Sequence, residues 1–300
     1  MIKVDNVTKN FGNIRALDDV TAQISHGSIF GLIGSNGSGK STLMKIMCGI
    51  IRADSGNIFF DGEDVYENIP VKNGIVYLSD EQYFAPHCTI EDMKDIYKSL
   101  YSSFSQEKYD KLCGIFRLDK TRKINTFSKG MQKQASILLA LSLKPRYLLC
   151  DETFDGLDPV MRQLVKRLIA EDVSEGALTP IIASHNLREL EDICDHIGLL
   201  HKGGILFERE IDDLKLNLHK VQAVFGEAAT DDDIESAFDT VSSDRRGSLC
   251  TLIVRGAENE IMANLNRLNP VFCERIPLTL EEIFICEMED RGYDYSKIIL

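Results

Sequence analysis

Basic side chains are in deficit: the 300-residue chain carries 34 lysines and arginines against 47 aspartates and glutamates, a formal net charge of −13. Such a surface repels a phosphate backbone, which argues against nucleic acid as a partner. Cysteine occurs eight times, but without a CxxC pair or a Cys/His cluster at metal-ligand spacing. A disulfide framework and a zinc module are therefore disfavoured, and reduced thiols of a cytosolic protein are expected. Met1-Ile-Lys-Val-Asp-Asn6 lacks the apolar core of a secretory leader. Long apolar runs are missing too: stretches such as Ala135 to Leu143 fall well short of the roughly 18 residues that span a bilayer. Any work at a membrane would go through a partner. Internal repeats, low-complexity segments and heptads are absent. What remains is a globular chain, 44% hydrophobic, long enough for one large or two unequal domains.

The most informative stretch present is Gly31-Leu-Ile-Gly-Ser-Asn-Gly-Ser-Gly-Lys-Ser-Thr42, a GxxxxGK[ST] motif after the strand-like run Ser28 to Ile33. Gly34, Gly37 and Gly39 permit tight bends, so the N–H groups of Ser35, Asn36, Gly37, Ser38 and Gly39 can converge on a phosphate where a helix begins near Lys40. Lys40 would reach the β- and γ-phosphates, the Ser41 hydroxyl would hold Mg²⁺, and Thr42 completes the motif. The plainer alternative is a glycine-rich turn before a helix. The strand before it and the amphipathic Leu43, Ile46, Met47 pattern after it favour a nucleotide site.

The alternation of Ile2, Val4 and then Val20, Ala22, Ile24, with turns at Asn10 to Asn13 and His26-Gly27, predicts a small antiparallel sheet. Strands at Gly74 to Leu78, Tyr147 to Cys150, Pro180 to Ser184 and Ile197 to His201 predict a mostly parallel sheet covered by helices. Thr89 to Leu143 reads mainly helical, opening on the N-cap sequence Thr89-Ile-Glu-Asp92. A boundary is expected near Asp212 to Leu218. Beyond it the order is strand (Val221 to Phe225), helix (Asp232 to Phe238), strand (Leu249 to Val254), helix (Glu258 to Leu268), strand (Val271 to Ile276) and helix (Leu280 to Glu289). This second α/β unit has no phosphate loop, and its acids Asp231, Asp232 and Asp233 read as a solvated helix start rather than a metal site.

Tyr147-Leu-Leu-Cys-Asp-Glu152 is a buried strand ending in two carboxylates. Asp151 would hold Mg²⁺ through water, and Glu152 would take a proton from an attacking water. An exposed turn is the ordinary reading of such a pair. The apolar strand before it and the phosphate loop upstream favour the catalytic one.

At this point the residues resemble the ATP-binding cassette (ABC) ATPases of membrane transporters. Phe127-Ser-Lys-Gly-Met131, followed by Gln132-Lys-Gln134, is similar to the family's LSGGQ signature and precedes Asp151 in the family's order. The hydroxyl of Ser128 and the N–H of Gly130 at a helix N-terminus make an anion site with no phosphate loop of its own, one that can act only on a nucleotide held by another subunit. Ser128 is also a plain N-cap. That reading does not explain why Asp155-Gly-Leu-Asp158 and His185 fall where the family has its D-loop and switch histidine; alone, His185 would be taken as a core histidine. Phe11 matches the aromatic that stacks on adenine. The resemblance runs over residues 1 to about 213.

The resemblance implies a P-loop ABC ATPase fold: an antiparallel β subdomain, a mostly parallel RecA-like core and a helical subdomain at about 85 to 145, forming a nucleotide-binding domain at 1 to 213 with a C-terminal accessory α/β domain at 214 to 300. It implies ATP and Mg²⁺ as cofactors, a second ABC ATPase subunit and a transmembrane permease subunit as partners, and a place at the cytoplasmic face of a bacterial cell membrane. Lys129 and Met131 replace the usual glycine and glutamine, which resembles the form found in exporters with ABC-2-type membrane subunits. Peptides such as antimicrobials are the cargo this suggests. Asp80 stands where the family has Gln or Glu as a metal and water contact. It is shorter than Gln and adds negative charge near Asp151 and Glu152; Glu81 competes for the position. Tyr83, Phe84, Tyr97, Tyr101 and Phe104 could offer a docking surface to the permease, although each alone reads as packing. A soluble ABC ATPase acting on nucleic acid or ribosomes is the competing reading, disfavoured by the single cassette and the acidic charge. A regulatory ABC protein would be expected to lose Glu152 or His185, and both are present.

Overall fold

Alternating apolar residues place one face of strand β1 (Ile2–Phe11) against the core, and β2 (Ile14–Ile24) returns antiparallel with Ile2 opposite Ile24 and Val4 opposite Ala22. The computed structural model describes residues 1–216, 218–225, 234 and 236–290. The chain divides into two compact units, Met1–Glu208 and Arg209–Leu300.

In the first unit, β4 (Ser55–Phe60) and β5 (Glu63–Asp64) extend the antiparallel sheet to the order β2-β1-β4-β5. A second sheet has the order β10-β9-β3-β8-β7-β6, built from β3 (Phe30–Ile33), β6 (Ile75–Leu78), β7 (Tyr147–Asp151), β8 (Thr179–Ser184), β9 (His196–His201) and β10 (Gly204–Glu210). The pairs β3–β8, β3–β9, β6–β7 and β7–β8 are parallel. Strands β3, β7 and β8 are buried at every residue, as expected of strands covered on both faces. Helix α1 (Lys40–Met47) packs on β7 and contributes Leu43, Met44, Ile46 and Met47 to the core shared with the antiparallel sheet. A short helix, α2 (Ile69–Lys72), precedes β6.

The helical segment consists of α3 (Ile90–Leu100), α4 (Gln106–Phe116) and α5 (Lys129–Ser142). Thr89 caps α3 in a reciprocal box: its hydroxyl accepts from the Asp92 N–H at 3.1 Å, and the Asp92 carboxylate accepts from the Thr89 N–H at 2.8 Å. Helices α6 (Pro159–Ser174) and α7 (Leu187–Glu191) both pack on β8.

The second unit holds α8 (Ile211–Leu216) and a sheet of order β12-β13-β11-β14, with β11 (Leu218–Val224), β12 (Asp239–Arg246), β13 (Leu249–Arg255) and β14 (Phe272–Ile276). Helices α9 (Glu258–Arg267) and α10 (Leu280–Asp290) complete it, and Val221, Ala223, Leu252, Val254, Ile261 and Leu265 share a core. Four strands were not anticipated: β4 and β5, which extend the antiparallel sheet, and β10 and β12. β10 follows the tight turn at Lys202-Gly203, and β12 is polar and largely exposed, so its pairing with β13 rather than any apolar alternation makes it a strand. Asp231, Asp232 and Asp233 lie outside the described residues.

Candidate nucleotide site

The loop from Gly34 to Gly39 leaves the C-terminal end of buried β3 and enters α1. Its path needs glycine: a Cβ on Gly34 would lie 2.4 Å from the Leu200 carbonyl oxygen, and Gly39, at φ +112°, would place one 2.5 Å from the Ala16 carbonyl oxygen. Lys40 is buried and its Nζ donates to the carbonyls of Gly34 at 2.6 Å and Ser35 at 3.3 Å, folded back over the loop it would serve. Asn36, Gly37 and Ser41 are exposed, Ser35 and Thr42 half-buried, and the buried Ser38 hydroxyl has no hydrogen-bond partner. Phe11 ends β1 with its ring 46% exposed and the Lys9 ammonium 5.5 Å from its centroid.

Strand β7 brings two carboxylates to the same edge of the sheet. Asp151 is 3% exposed; its Oδ2 accepts from the Tyr77 hydroxyl at 2.8 Å, while Oδ1 has no partner. Burial, then the adjacent Asp151 charge, pushes the Tyr77 hydroxyl well above the usual tyrosine range, so it stays a donor. Glu152 turns out of the strand at φ +47°, and its N–H donates to the Ala183 carbonyl at 3.1 Å. In this turn Oε1 lies 3.4 Å from Lys40 Nζ and Oε2 lies 3.0 Å from His185 Nδ1.

His185 follows β8 and its side chain is 45% exposed. The turn that presents it is anchored by buried Glu189, which accepts from the Ser184 hydroxyl at 3.0 Å and lies 3.4 Å from Arg162 Nη1. Burial raises the Glu189 carboxyl above its ordinary range, opposed by the Ser184 bond and then the nearby Arg162 charge. Ligand atoms of Glu152, Asp155 and His185 all lie within 4.8 Å of one another. The expected magnesium set was different, namely Ser41, Asp151 and Asp80. For that ion the unpartnered Asp151 Oδ1, a buried hard oxygen, is a suitable donor, and the Ser41 hydroxyl adds a second oxygen donor.

The signature residues start α5. Ser128 is its N-cap, with the hydroxyl accepting from the Met131 N–H at 3.3 Å, and Lys129 is exposed while Gly130 and Met131 are half-buried. Gly130 lies close to the segment after Glu152: a Cβ there would meet the Gly156 carbonyl oxygen at 3.1 Å. Asp158 is exposed and caps α6, accepting from the Met161 N–H at 2.9 Å. A cavity of about 570 Å³ runs between these parts, lined by Asp80, Gln82, Lys129, Gln132, Lys133 and Asp155. Asp80 is 63% exposed at its side chain and 3.2 Å from Lys133 Nζ, so its negative charge is partly offset.

Tyr77, Lys133 and Glu189 were not singled out as site residues by sequence reasoning, and Asp155 was named only as the start of the D-loop stretch. Tyr77 had one usable signal, its place one residue from the end of a buried strand beside β7; Lys133, a cation on the buried face of a helix otherwise rich in apolar residues, had another. Glu189 carries no such mark in the sequence.

The glycine loop at a strand end, a buried acid pair on the neighbouring strand but one and a histidine on the strand between define a P-loop ATPase of the cassette type. The ABC transporter family model matches residues 17–155. The chain is 32% identical over 290 residues to the ABC transporter ATP-binding protein YtrB of Bacillus subtilis, covering 96% of this chain and 98% of that one. It is 34% identical to the lantibiotic transport ATP-binding protein SrtF of Streptococcus pyogenes over 71% of this chain and 92% of that one. A solved ATP-binding subunit of an ABC transporter superposes with a TM-score of 0.66 at 26% identity, over 72% of this chain and 92% of that one. The chain belongs to the ABC transporter ATP-binding proteins and is an ATP-hydrolysing cassette. Sulfate import proteins also occur among the matching relatives, so membership alone leaves the direction of transport open. Among the described residues no helix is long and apolar enough to cross a membrane.

Proposed function

We propose that this cassette powers an ABC-2-type exporter whose cargo is a peptide such as an antimicrobial. The observation that carries the catalytic part is the placement of the Glu152 carboxylate between Lys40 Nζ at 3.4 Å and His185 Nδ1 at 3.0 Å, at the mouth of a phosphate loop. Glu152 is the general base for the attacking water, His185 orients that carboxylate and the water, and Lys40 exchanges its loop carbonyls for phosphate oxygens when ATP enters. Ser41 and Asp151 would hold Mg²⁺, which screens the phosphate charge when bound. Phe11 stacks on the adenine, and the loop amides from Ser35 to Thr42 hold the phosphates.

Two subunits pair head to tail, so that Ser128 and Gly130 of one close on the γ-phosphate held by the other, with Asp158 of the D-loop at the joint. ATP binding thus favours the closed pair and hydrolysis removes the contact that held it. The permease docks near Tyr83, whose side chain is 84% exposed, which puts the chain at the cytoplasmic face of the membrane. Export of peptides is supported by the Ser-Lys-Gly-Met signature and by the lantibiotic transport relative. The second unit, whose sequence has no phosphate loop and no acid/base constellation, adjusts pairing rather than chemistry.

The deciding experiment is light scattering on Glu152→Gln with and without Mg-ATP. An ATP-dependent shift from monomer to dimer is expected. A variant that binds ATP yet remains monomeric at high concentration would overturn self-pairing, and one that keeps near-normal turnover would overturn Glu152 as the base.

A further inference from the structure

A buried ammonium next to the catalytic turn has no part in the reading above. Lys133 lies on α5 with buried Ala135, Ile137 and Leu138 after it, and its side chain is 10% exposed. An unpartnered charge at such a depth costs several kcal/mol, so its contacts are where its effect is exerted. It has two: Nζ donates to the backbone carbonyl of Glu152 at 2.8 Å and to Asp80 Oδ1 at 3.2 Å.

The first contact falls on a residue that needs it. Glu152 sits at φ +47°, in the left-handed region, which costs a side chain with a Cβ about 1–2 kcal/mol. Its carbonyl also accepts from the Asp155 N–H at 3.3 Å. These two donors fix the peptide plane that follows Glu152. With its N–H held by Ala183 on the other side, the backbone is fixed on both sides of the Glu152 Cα, and from that fixed base the carboxylate reaches Lys40 and His185.

We propose that Lys133 is a positioning residue for Glu152, pinning the left-handed turn that aims the general base, with Asp80 on the loop after β6 balancing its charge. Without the ammonium the peptide can relax toward ordinary backbone angles and carry the carboxylate away, and a displacement of about 1 Å at a catalytic group costs up to roughly 100-fold in rate. Because the same Nζ touches Asp80, a movement of that loop changes how firmly the turn is held. This rests on Glu152 being the base.

The test uses the full chain carrying Lys133→Met or Lys133→Gln, each also in the Glu152→Gln background, with ATP affinity and single-turnover hydrolysis measured separately. Lys133→Met is expected to lower the hydrolysis rate tenfold or more while ATP affinity moves less than twofold. Lys133→Gln, which can still donate to the carbonyl, should lose about threefold or more but less than the methionine variant. In the Glu152→Gln background either change should cost less than twofold, because the group being positioned no longer acts. The inference fails if either variant hydrolyses ATP within twofold of the parent, if affinity falls in step with rate, or if the losses multiply in the double variant. Should Lys133→Met not fold, Lys133→Gln decides on the same criteria. Glu152→Gln alone retaining turnover would instead sink the general-base reading, a result separable from normal turnover of a Lys133 variant beside an inactive Glu152→Gln.

Discussion

The two ends of strand β7 carry the same bond and use it differently. At the N-terminal end the Tyr147 hydroxyl donates to Asp61 Oδ2 at 2.8 Å; at the C-terminal end the Tyr77 hydroxyl donates to Asp151 Oδ2 at 2.8 Å. The remaining oxygen separates them. Asp61 Oδ1 is taken by His26 Nε2 at 2.5 Å, and Arg146 Nη1 reinforces Oδ2 at 2.9 Å, whereas Asp151 Oδ1 has no partner. One end closes its hydrogen bonds and ties the β4–β5 turn to the sheet. The other leaves a buried acceptor open and places Glu152 in a left-handed turn beside it. An open acceptor and a strained turn lower stability, and both are kept where a ligand or a reaction makes use of them. The general lesson is that a satisfied polar cluster reads as structure, and a cluster of the same residue types with one valence unspent reads as a binding site.

This contrast predicts opposite responses at the two ends. The largest expected effect is on Glu152→Gln, which should lower ATP turnover by about 10³-fold or more with thermal unfolding little changed, since the amide keeps the shape but cannot take a proton. Steady-state hydrolysis alongside a melting curve checks it, and near-normal turnover would remove the functional half of the comparison. At the opposite end, Asp61→Asn should leave turnover within twofold and lower stability by about 1–2 kcal/mol at neutral pH, after allowance for the partial exposure of the group.

The pH dependence of Asp61 follows from its own shift. Burial raises its pKa, but bonds from the chain's amino terminus, Tyr147 and His26 outweigh this and hold the carboxyl at about 2, below its ordinary 3.8. The stabilisation is therefore fully present above about pH 4 and is lost as pH falls through 2, so denaturant titrations of the parent and Asp61→Asn should converge in that window. Curves that stay parallel down to pH 2 would show that the cluster contributes nothing through ionisation.

The smallest effect is expected of Tyr77→Phe. Removing the donor leaves both oxygens of Asp151 without a partner and frees the carboxylate to rotate, so the Mg²⁺ concentration for half-maximal ATPase activity should rise by about threefold to tenfold, with ATP-independent stability falling about 1 kcal/mol. Metal titration with Mn²⁺ as a spectroscopic probe checks this without relying on turnover. An unchanged metal dependence would place Tyr77 with Tyr147, as structure alone.

Much of the fold was legible because its signals are short-range. The parallel strands were expected within a residue or two of their observed ends, since each is an apolar run bounded by turn residues. β12 was missed because an exposed edge strand such as Asp239–Arg246 has no core face to impose alternation. In the site, glycines at fixed spacing marked the phosphate loop and a strand ending in two acids marked the second motif. The partners of those residues were not visible, because Lys133 meets its target from another helix, Tyr77 from the neighbouring strand, and Glu189 pairs with Arg162 of a different helix.

By itself the sequence determined the phosphate loop, the order of motifs along the chain and the class of fold, because backbone preferences of glycine and the period of apolar residues act over a few positions. Only the tertiary structure decided that Asp151 keeps one oxygen open, that Glu152 stands in a left-handed turn held by an ammonium from α5, and that Asp80 is paired with that ammonium. The physical reason is that hydrogen bonds and ion pairs depend on ångström-scale distances between residues far apart in the chain, and those distances exist only once the sheet and helices have packed.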